Sequence, residues 1–374
     1  MHIRFEEKAV LFDAVQKIQG CVDKKNTIPI LSNILLTLDD GTQQATLIAT
    51  NLEIGISTTI PVAIQASGVG SITIPSQKLF EILKELPDAP VGIRVDEDNW
   101  IFMTCGNSNF KIAGLPIGEF PDIEHEQPDE MTISIPGDVL KMAIDKILYA
   151  TSNDESRYAL TGVAWDFEDL SKSLKLVATD GHRISVQEFA LPDDDLRTNT
   201  YIVPKKAMSE IKKLCENSDV TVSLSFGKNL LKASVGNTTM YSRLIDAPFP
   251  DYRQIIPTTT LHDIVVNRVG LQSALRRVAL LASDTRLVGF SCNSDELELS
   301  AVDPNLGESH DSLETQDEQE QALSIVFGLN AKYLAEVLAS TNVNTIRFGM
   351  TDPLSPVRIF AEENLTNVIM PMRV

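Results

Sequence analysis

Phe249-Pro250-Asp251-Tyr252-Arg253 opens as Phe120-Pro121-Asp122 does, and the two stretches lie 129 residues apart. The same offset separates Ala49-Thr50-Asn51 from Ala178-Thr179-Asp180, with a fainter third copy at Ala301-Val302-Asp303. Glu81-Ile82 and Glu210-Ile211 also repeat at 129, and Glu336-Val337 follows after a further 126. Landmarks that keep one spacing and one order mark a duplicated domain, well beyond a solenoid repeat of roughly 20–50 residues. Three domains are expected, at 1–128, 129–257 and 258–374. Each is long enough to bury a core of its own.

Within the first copy, Val10, Leu11, Ala14, Val15 and Ile18 recur at helical spacing, and Leu79, Phe80, Leu83 and Leu86 do so again before Pro87. Between and after them come β-rich runs at Pro29–Leu38, Thr46–Ile60, Ser71–Ile74, Val91–Val95, Trp100–Thr104 and Asn109–Gly114. The short connections predict antiparallel pairing, so the unit reads as α+β with two helices and about eight strands. The second copy repeats this, with helices near Asp138–Tyr149 and Lys205–Cys215 and strands through Tyr158–Phe189. The third carries helices near Val269–Ala282 and Ala331–Ala339. It reaches Met370-Pro371-Met372-Arg373-Val374, in register with Leu244 and Leu115, with no further Phe-Pro-Asp. Gly118–Ile123 and Ala247–Ile256 are therefore expected to connect domains. Gly307–Gln321, with two Asp and four Glu, reads as a solvated acidic loop.

A chain of 374 residues with 43% apolar and 22% charged residues reads as a soluble globular protein. No apolar run reaches the roughly 18 residues of a spanning helix, and no signal peptide opens the chain, so a cytoplasmic location is expected. Cys21, Cys105, Cys215 and Cys292 are scattered without a C-x-x-C pair, which predicts reduced thiols and no metal site. The net charge of −20 argues at first against nucleic acid. The charge is unevenly placed, however. The predicted helices with their ends hold 17 of the 32 basic residues but only 11 of the 52 acidic ones. Propensity favours Glu in helices about as much as Lys or Arg, so it does not produce this contrast. If the helices share a surface, that surface is basic and tolerates phosphate, while the rest of the chain repels it.

At this point the sequence resembles one family over its whole length: the bacterial DNA polymerase III β subunit, the sliding clamp. The most specific pieces are Thr27-Ile28-Pro29-Ile30-Leu31, Arg157-Tyr158, Ala178-Thr179-Asp180-Gly181-His182-Arg183, Phe249-Pro250-Asp251-Tyr252-Arg253 and Met370-Pro371-Met372-Arg373. The resemblance implies a clamp fold of three repeated domains and a head-to-tail homodimer closed into a ring. A heterologous contact that closes gives a ring in place of a filament. Twelve helices about 10 Å wide, set side by side, leave a hole of roughly 28 Å, enough for duplex DNA. Retention is then topological and independent of sequence.

The resemblance places DNA contacts on Lys24, Lys25, Tyr158, Lys205 and Lys206. It places the dimer seam on Phe110 and Ile112 of one chain against Leu280 and Leu281 of the other. It implies an apolar cleft that takes short peptide motifs. One wall comes from Arg157, Leu160, Thr179, Gly181, His182, Arg183 and Ile184, and Pro250 and Ile255 come from the connector. Val368, Ile369, Met370, Pro371, Met372 and Arg373 complete it, the methionines forming a rim that repacks around different side chains. The partners implied are a clamp loader, the replicative polymerase, and other polymerases or repair proteins; no cofactor, metal or membrane is implied. Gln254, Pro356 and the acidic stretch depart from the family pattern and bear on peptide preference.

An enzyme would have to start from Asp180-Gly181-His182-Arg183. An Asp and a His two apart specify no reaction, and no P-loop, H-E-x-x-H or G-x-S-x-G is present. A protein-binding β scaffold without a DNA role is the other class. It differs in expecting no effect from reversing the charge of helix lysines.

Overall fold

Each repeat carries eight strands and two helices among the described residues. The computed structural model describes residues 1–22, 28–39, 43–62, 70–122, 131–168, 172–191, 198–216, 219–293, 295–315 and 325–374. The first repeat holds β1 (His2–Phe5), α1 (Lys8–Ile18), β2 (Asn33–Asp39), β3 (Gln44–Thr50), β4 (Ile54–Pro61), β5 (Gly70–Pro75), α2 (Ser76–Glu85), β6 (Val91–Val95), β7 (Trp100–Cys105) and β8 (Ser108–Ala113). The second holds β9 (Met131–Pro136), α3 (Gly137–Ile147), β10 (Gly162–Glu168), β11 (Ser173–Thr179), β12 (Arg183–Ala190), β13 (Asn199–Pro204), α4 (Lys205–Leu214), β14 (Thr221–Phe226), β15 (Leu230–Val235) and β16 (Thr238–Arg243). The third holds β17 (His262–Asn267), α5 (Arg268–Val278), β18 (Leu287–Cys292), β19 (Glu296–Asp303), β20 (Gly307–Glu314), β21 (Ile325–Asn330), α6 (Ala331–Ala339), β22 (Thr345–Met350), β23 (Val357–Glu362) and β24 (Leu365–Ile369).

Packing groups the chain into two units, Met1–Lys141 with Lys206–Leu244, and Met142–Lys205 with Ile245–Val374. In the first unit the sheet β5-β2-β3-β4-β16-β15-β14-β9 joins four strands of repeat one to four of repeat two. In the second, β13-β10-β11-β12-β24-β23-β22-β17 joins repeat two to repeat three in the same way. The joining pairs are antiparallel, β4 with β16 and β12 with β24. Each unit also carries a four-stranded sheet, β1-β6-β7-β8 in the first and β20-β19-β18-β21 in the second. β8 and β20 thus each end a sheet with one side unpaired among the described strands.

The helices form where the sequence pattern puts them. Leu11, Ala14, Val15 and Ile18 bury one face of α1, and Leu79 and Leu83 bury one face of α2. Asn267 and Asn330 cap α5 and α6, their side-chain oxygens accepting from the first-turn amides of Gly270 and of Lys332 and Tyr333. The second unit's core centres on Phe290, Phe327 and Phe348, with Phe290 and Phe327 stacked at 5.1 Å. Burying each such ring contributes about 1.5–3 kcal/mol.

Three sequence expectations need correction. The run from Pro29 begins as a 3-10 turn at Pro29–Ser32, and its strand starts only at Asn33, because the Pro has no amide to donate. The strand expected from Tyr158 begins at Gly162, after a 3-10 stretch at Glu155–Thr161 capped by the Asp154 side chain. Gly307–Glu314 is a strand, not a loop. Ser309 donates to the carbonyl of Val278, Asp311 meets Arg277, and Leu313 packs on the core. The acidic run hid this period-two alternation.

Candidate functional site

The turn Asp180-Gly181-His182-Arg183 sits between β11 and β12, and its own side chains hold it. Asp180 Oδ1 accepts from the amides of His182 (2.9 Å) and Arg183 (3.2 Å), while Thr179 Oγ1 donates to the Arg183 carbonyl at 2.6 Å. Gly181 takes φ +88°, a left-handed backbone that side chains rarely adopt. A Cβ there would meet Arg157 Nη1 at 2.7 Å. Arg157 uses that approach to donate to the Asp180 carbonyl at 3.0 Å.

β24 runs alongside. Arg183 pairs with Ile369 and Ile184 with Val368, and the Met370 amide then donates to the His182 carbonyl at 2.9 Å. Met372 crosses to β21, where its amide donates to the Gly328 carbonyl at 2.8 Å. Any side chain on Gly328 would strike the Met372 carbonyl at 2.7 Å, so the close crossing requires glycine.

The connector packs on the same sheet. Tyr252 joins Ala164, Val177, Ile184 and Val186 in a buried cluster, with Phe249 and Ile256 against it. Its hydroxyl donates to the buried Asp166 carboxylate at 2.6 Å, and Arg253 reaches the same carboxylate at 2.5 Å. Burial, and then the Asp166 carboxylate, push the Tyr252 hydroxyl well above the usual phenol range, so it stays a donor.

The expected cleft residues therefore fall into two groups. Thr179, Arg183, Ile184, Val368 and Ile369 are buried and form the support. Arg157, Gly181, His182, Pro250, Ile255, Met370 and Arg373 are exposed, and Leu160, Pro371 and Met372 are half-buried. Of the exposed members, Arg157, His182 and Arg373 are polar, and Pro250, Ile255 and Met370 are apolar. Burial of Arg183 departs from the expectation that it faces a ligand. Its guanidinium lies against Tyr149, Tyr333, Asp180 and Glu336.

Sequence reading missed Tyr149, Asp166 and Tyr333. Glu336 was visible only as a repeat landmark. Asp166 carries no local signal, since its partners are over 30 residues away.

Of the residues assigned to DNA, Lys24 and Lys25 lie outside the described residues. Tyr158 is 58% exposed, which places it on the surface and not in a core. Lys205 Nζ donates to Asn153 at 3.0 Å; burial, then the nearby Arg183 charge, lower its pKa. Lys206 reaches the Cys21 carbonyl at 3.4 Å. Of the seam residues, Phe110 and Ile112 are half-buried on β8, Leu281 is half-buried, and Leu280 is 79% exposed.

Comparison with known proteins accords with this geometry. Residues 1–124 match the N-terminal domain of the DNA polymerase III beta subunit family, residues 134–251 its central domain and residues 253–373 its C-terminal domain. The beta sliding clamp of Pseudomonas putida is 30% identical over 377 aligned residues, covering 100% of both chains. That of Escherichia coli K12 is 29% identical over 98% of each. The solved DNA polymerase III subunit beta of Pseudomonas aeruginosa superposes with a TM-score of 0.92 over 100% of both chains at 29% identity. A sliding clamp of the same species, similar at a TM-score of 0.91, is bound to griselimycin.

Proposed function

Because the chain belongs to the DNA polymerase III β-subunit family, the bacterial sliding clamps, we propose that it acts as a head-to-tail homodimer that encircles duplex DNA. As a member of that family it is a processivity factor without chemistry of its own. A loader places it on DNA, and polymerases and repair proteins bind it through short peptide motifs. Three clamp domains meet near residues 128 and 257, a reading supported by the family matches at 1–124, 134–251 and 253–373. No described helix is long and apolar enough to cross a membrane, and a cytoplasmic location follows from work on DNA replication.

The observation that carries the ring is the repeated sheet junction, which predicts its own continuation. In the two junctions within the chain Ile56 faces Met240 and Ser185 faces Asn367. Ile56 and Ser185 each pair with the alanine of a repeat landmark, Ala49 and Ala178, as Ser309 pairs with Ala301. Met240 and Asn367 each stand two residues into the second strand of a tight hairpin, as Phe110 does. The same rule seats Ser309 of β20 opposite Phe110 of the partner subunit, and Glu308 opposite the partner's Lys111. The outer faces complement each other in charge. β19 and β20 present Glu298 and Glu308 around His310, while Lys111 lies over Trp100 at 4.1 Å and Arg94 over Phe102 at 4.0 Å.

DNA contact is assigned to Lys205, to Lys206 and to exposed Tyr158. Exposed Ile255 and Met370, with half-buried Met372, would take the peptides. The test is retention on nicked circular plasmid, after loading with a clamp loader and ATP, before and after linearisation. Co-elution with the circle and loss from the linear form support a sliding ring; equal retention on both overturns it.

A further inference from the structure

An arginine beside a ligand cleft usually serves as a ligand, yet Arg183 is only 5% exposed. Its guanidinium is fully engaged on three sides. Nε donates to Asp180 Oδ2 at 3.1 Å, Nη2 to the Tyr149 carbonyl at 2.7 Å, and Nη1 to Glu336. The rings of Tyr149 and Tyr333 flank it at 5.1 and 4.4 Å, and Tyr333 also stacks on His182. Of the three acceptors, Asp180 and the Tyr149 carbonyl belong to the second repeat. Glu336, on α6, is the one supplied by the third.

The first junction shows that the turn does not need this pin in order to fold. There Asn51 Oδ1 accepts from the amide of Ile54 at 2.8 Å, as Asp180 does from Arg183. The Arg243 amide donates to the Glu53 carbonyl at 2.8 Å, as that of Met370 does to His182. Yet the place of Arg183 is taken by buried Ile54, and Glu210, the counterpart of Glu336, turns to Lys213 on its own helix at 2.8 Å. The backbone is reproduced without the Arg–Glu contact. That contact is specific to the junction that carries the cleft.

We propose that Glu336 is a positioning residue of the peptide cleft, which draws the Arg183 guanidinium beneath the 180–182 turn. This rests on the cleft reading above. The backbone of the turn forms without the pin, so its effect is on the side chain: it keeps a cation out of the cleft, leaving the floor apolar. Without the carboxylate, Arg183 loses a charged partner in a buried setting, which drives the guanidinium toward water in the cleft.

The test measures fluorescence anisotropy of a short fluorescein-labelled peptide ending in Leu-Phe and of its counterpart ending in Leu-Phe-Glu. Wild type, Glu336→Ala, Glu336→Gln and the control Glu210→Gln are compared, with thermal midpoints recorded for each. Glu336→Ala is expected to weaken the Leu-Phe peptide about tenfold, the scale of one charge-assisted hydrogen bond, and to shift preference toward the acidic peptide. Glu336→Gln, whose amide oxygen still accepts from Arg183, should fall between Ala and wild type, and Glu210→Gln should bind as wild type. A Glu336→Ala variant that melts earlier but binds both peptides as wild type does would overturn the proposal, leaving a purely structural contact. Wild type binding neither peptide would overturn the cleft reading and the inference with it.

Discussion

The Tyr252 hydroxyl and the Asp166 carboxylate, 86 residues apart, meet at 2.6 Å and fasten the connector to the sheet beneath it. Replacing Tyr252 by Phe removes a hydrogen bond to a buried charge. The expected loss is about 1.5–3 kcal/mol in urea unfolding. Peptide affinity should also fall, because Pro250 and Ile255 flank the latch. Unchanged stability would mean that Arg253 and Thr200 satisfy Asp166 without it.

Gly181 and Leu52 occupy the same turn in successive repeats, at φ +88° and +78°. A leucine in that conformation is strained by about 1–2 kcal/mol. Leu52→Gly is therefore expected to leave the thermal midpoint unchanged or raise it, despite the lost side chain. Gly181→Ala is expected to lower it, since its Cβ also displaces Arg157.

The proposed seam register sets Glu308 opposite the partner's Lys111. Reversing either charge alone should raise the dimer dissociation constant, and reversing both should restore it. An exposed pair of this kind contributes about 0.2–1 kcal/mol, so each single change is a few-fold effect in sedimentation at low salt. Equal values for the single and double variants would place the register elsewhere.

Asp311 has its pKa held below the ordinary 3.8, chiefly by its hydrogen bond from Arg277. A depressed pKa contributes stability above the unfolded value, and that stability is lost as pH falls through the folded one. Wild type should therefore outlast Asp311→Asn in urea near neutral pH, and the gap should close as the solution is acidified below the ordinary aspartate range. A gap that widens in acid would contradict the pairing.

The sequence by itself determined the threefold repeat, the six helices and the α+β class, because these follow from local periodicity and from landmarks that recur at one spacing. It also carried the Phe-Pro-Asp connector and the Asp180–Arg183 turn, whose hydrogen bonds are made within a few residues. Only the tertiary structure decided that each eight-stranded sheet is shared by two repeats. Strand pairing such as Arg183 with Ile369 joins residues distant in the chain and leaves no trace in local pattern. β20 pairs locally with β19, and there it was the acidic residues that masked its alternation. Distance in the chain also hid the fate of Arg183: whether a charged side chain meets water, a ligand or Glu336 depends on what the rest of the chain brings to it.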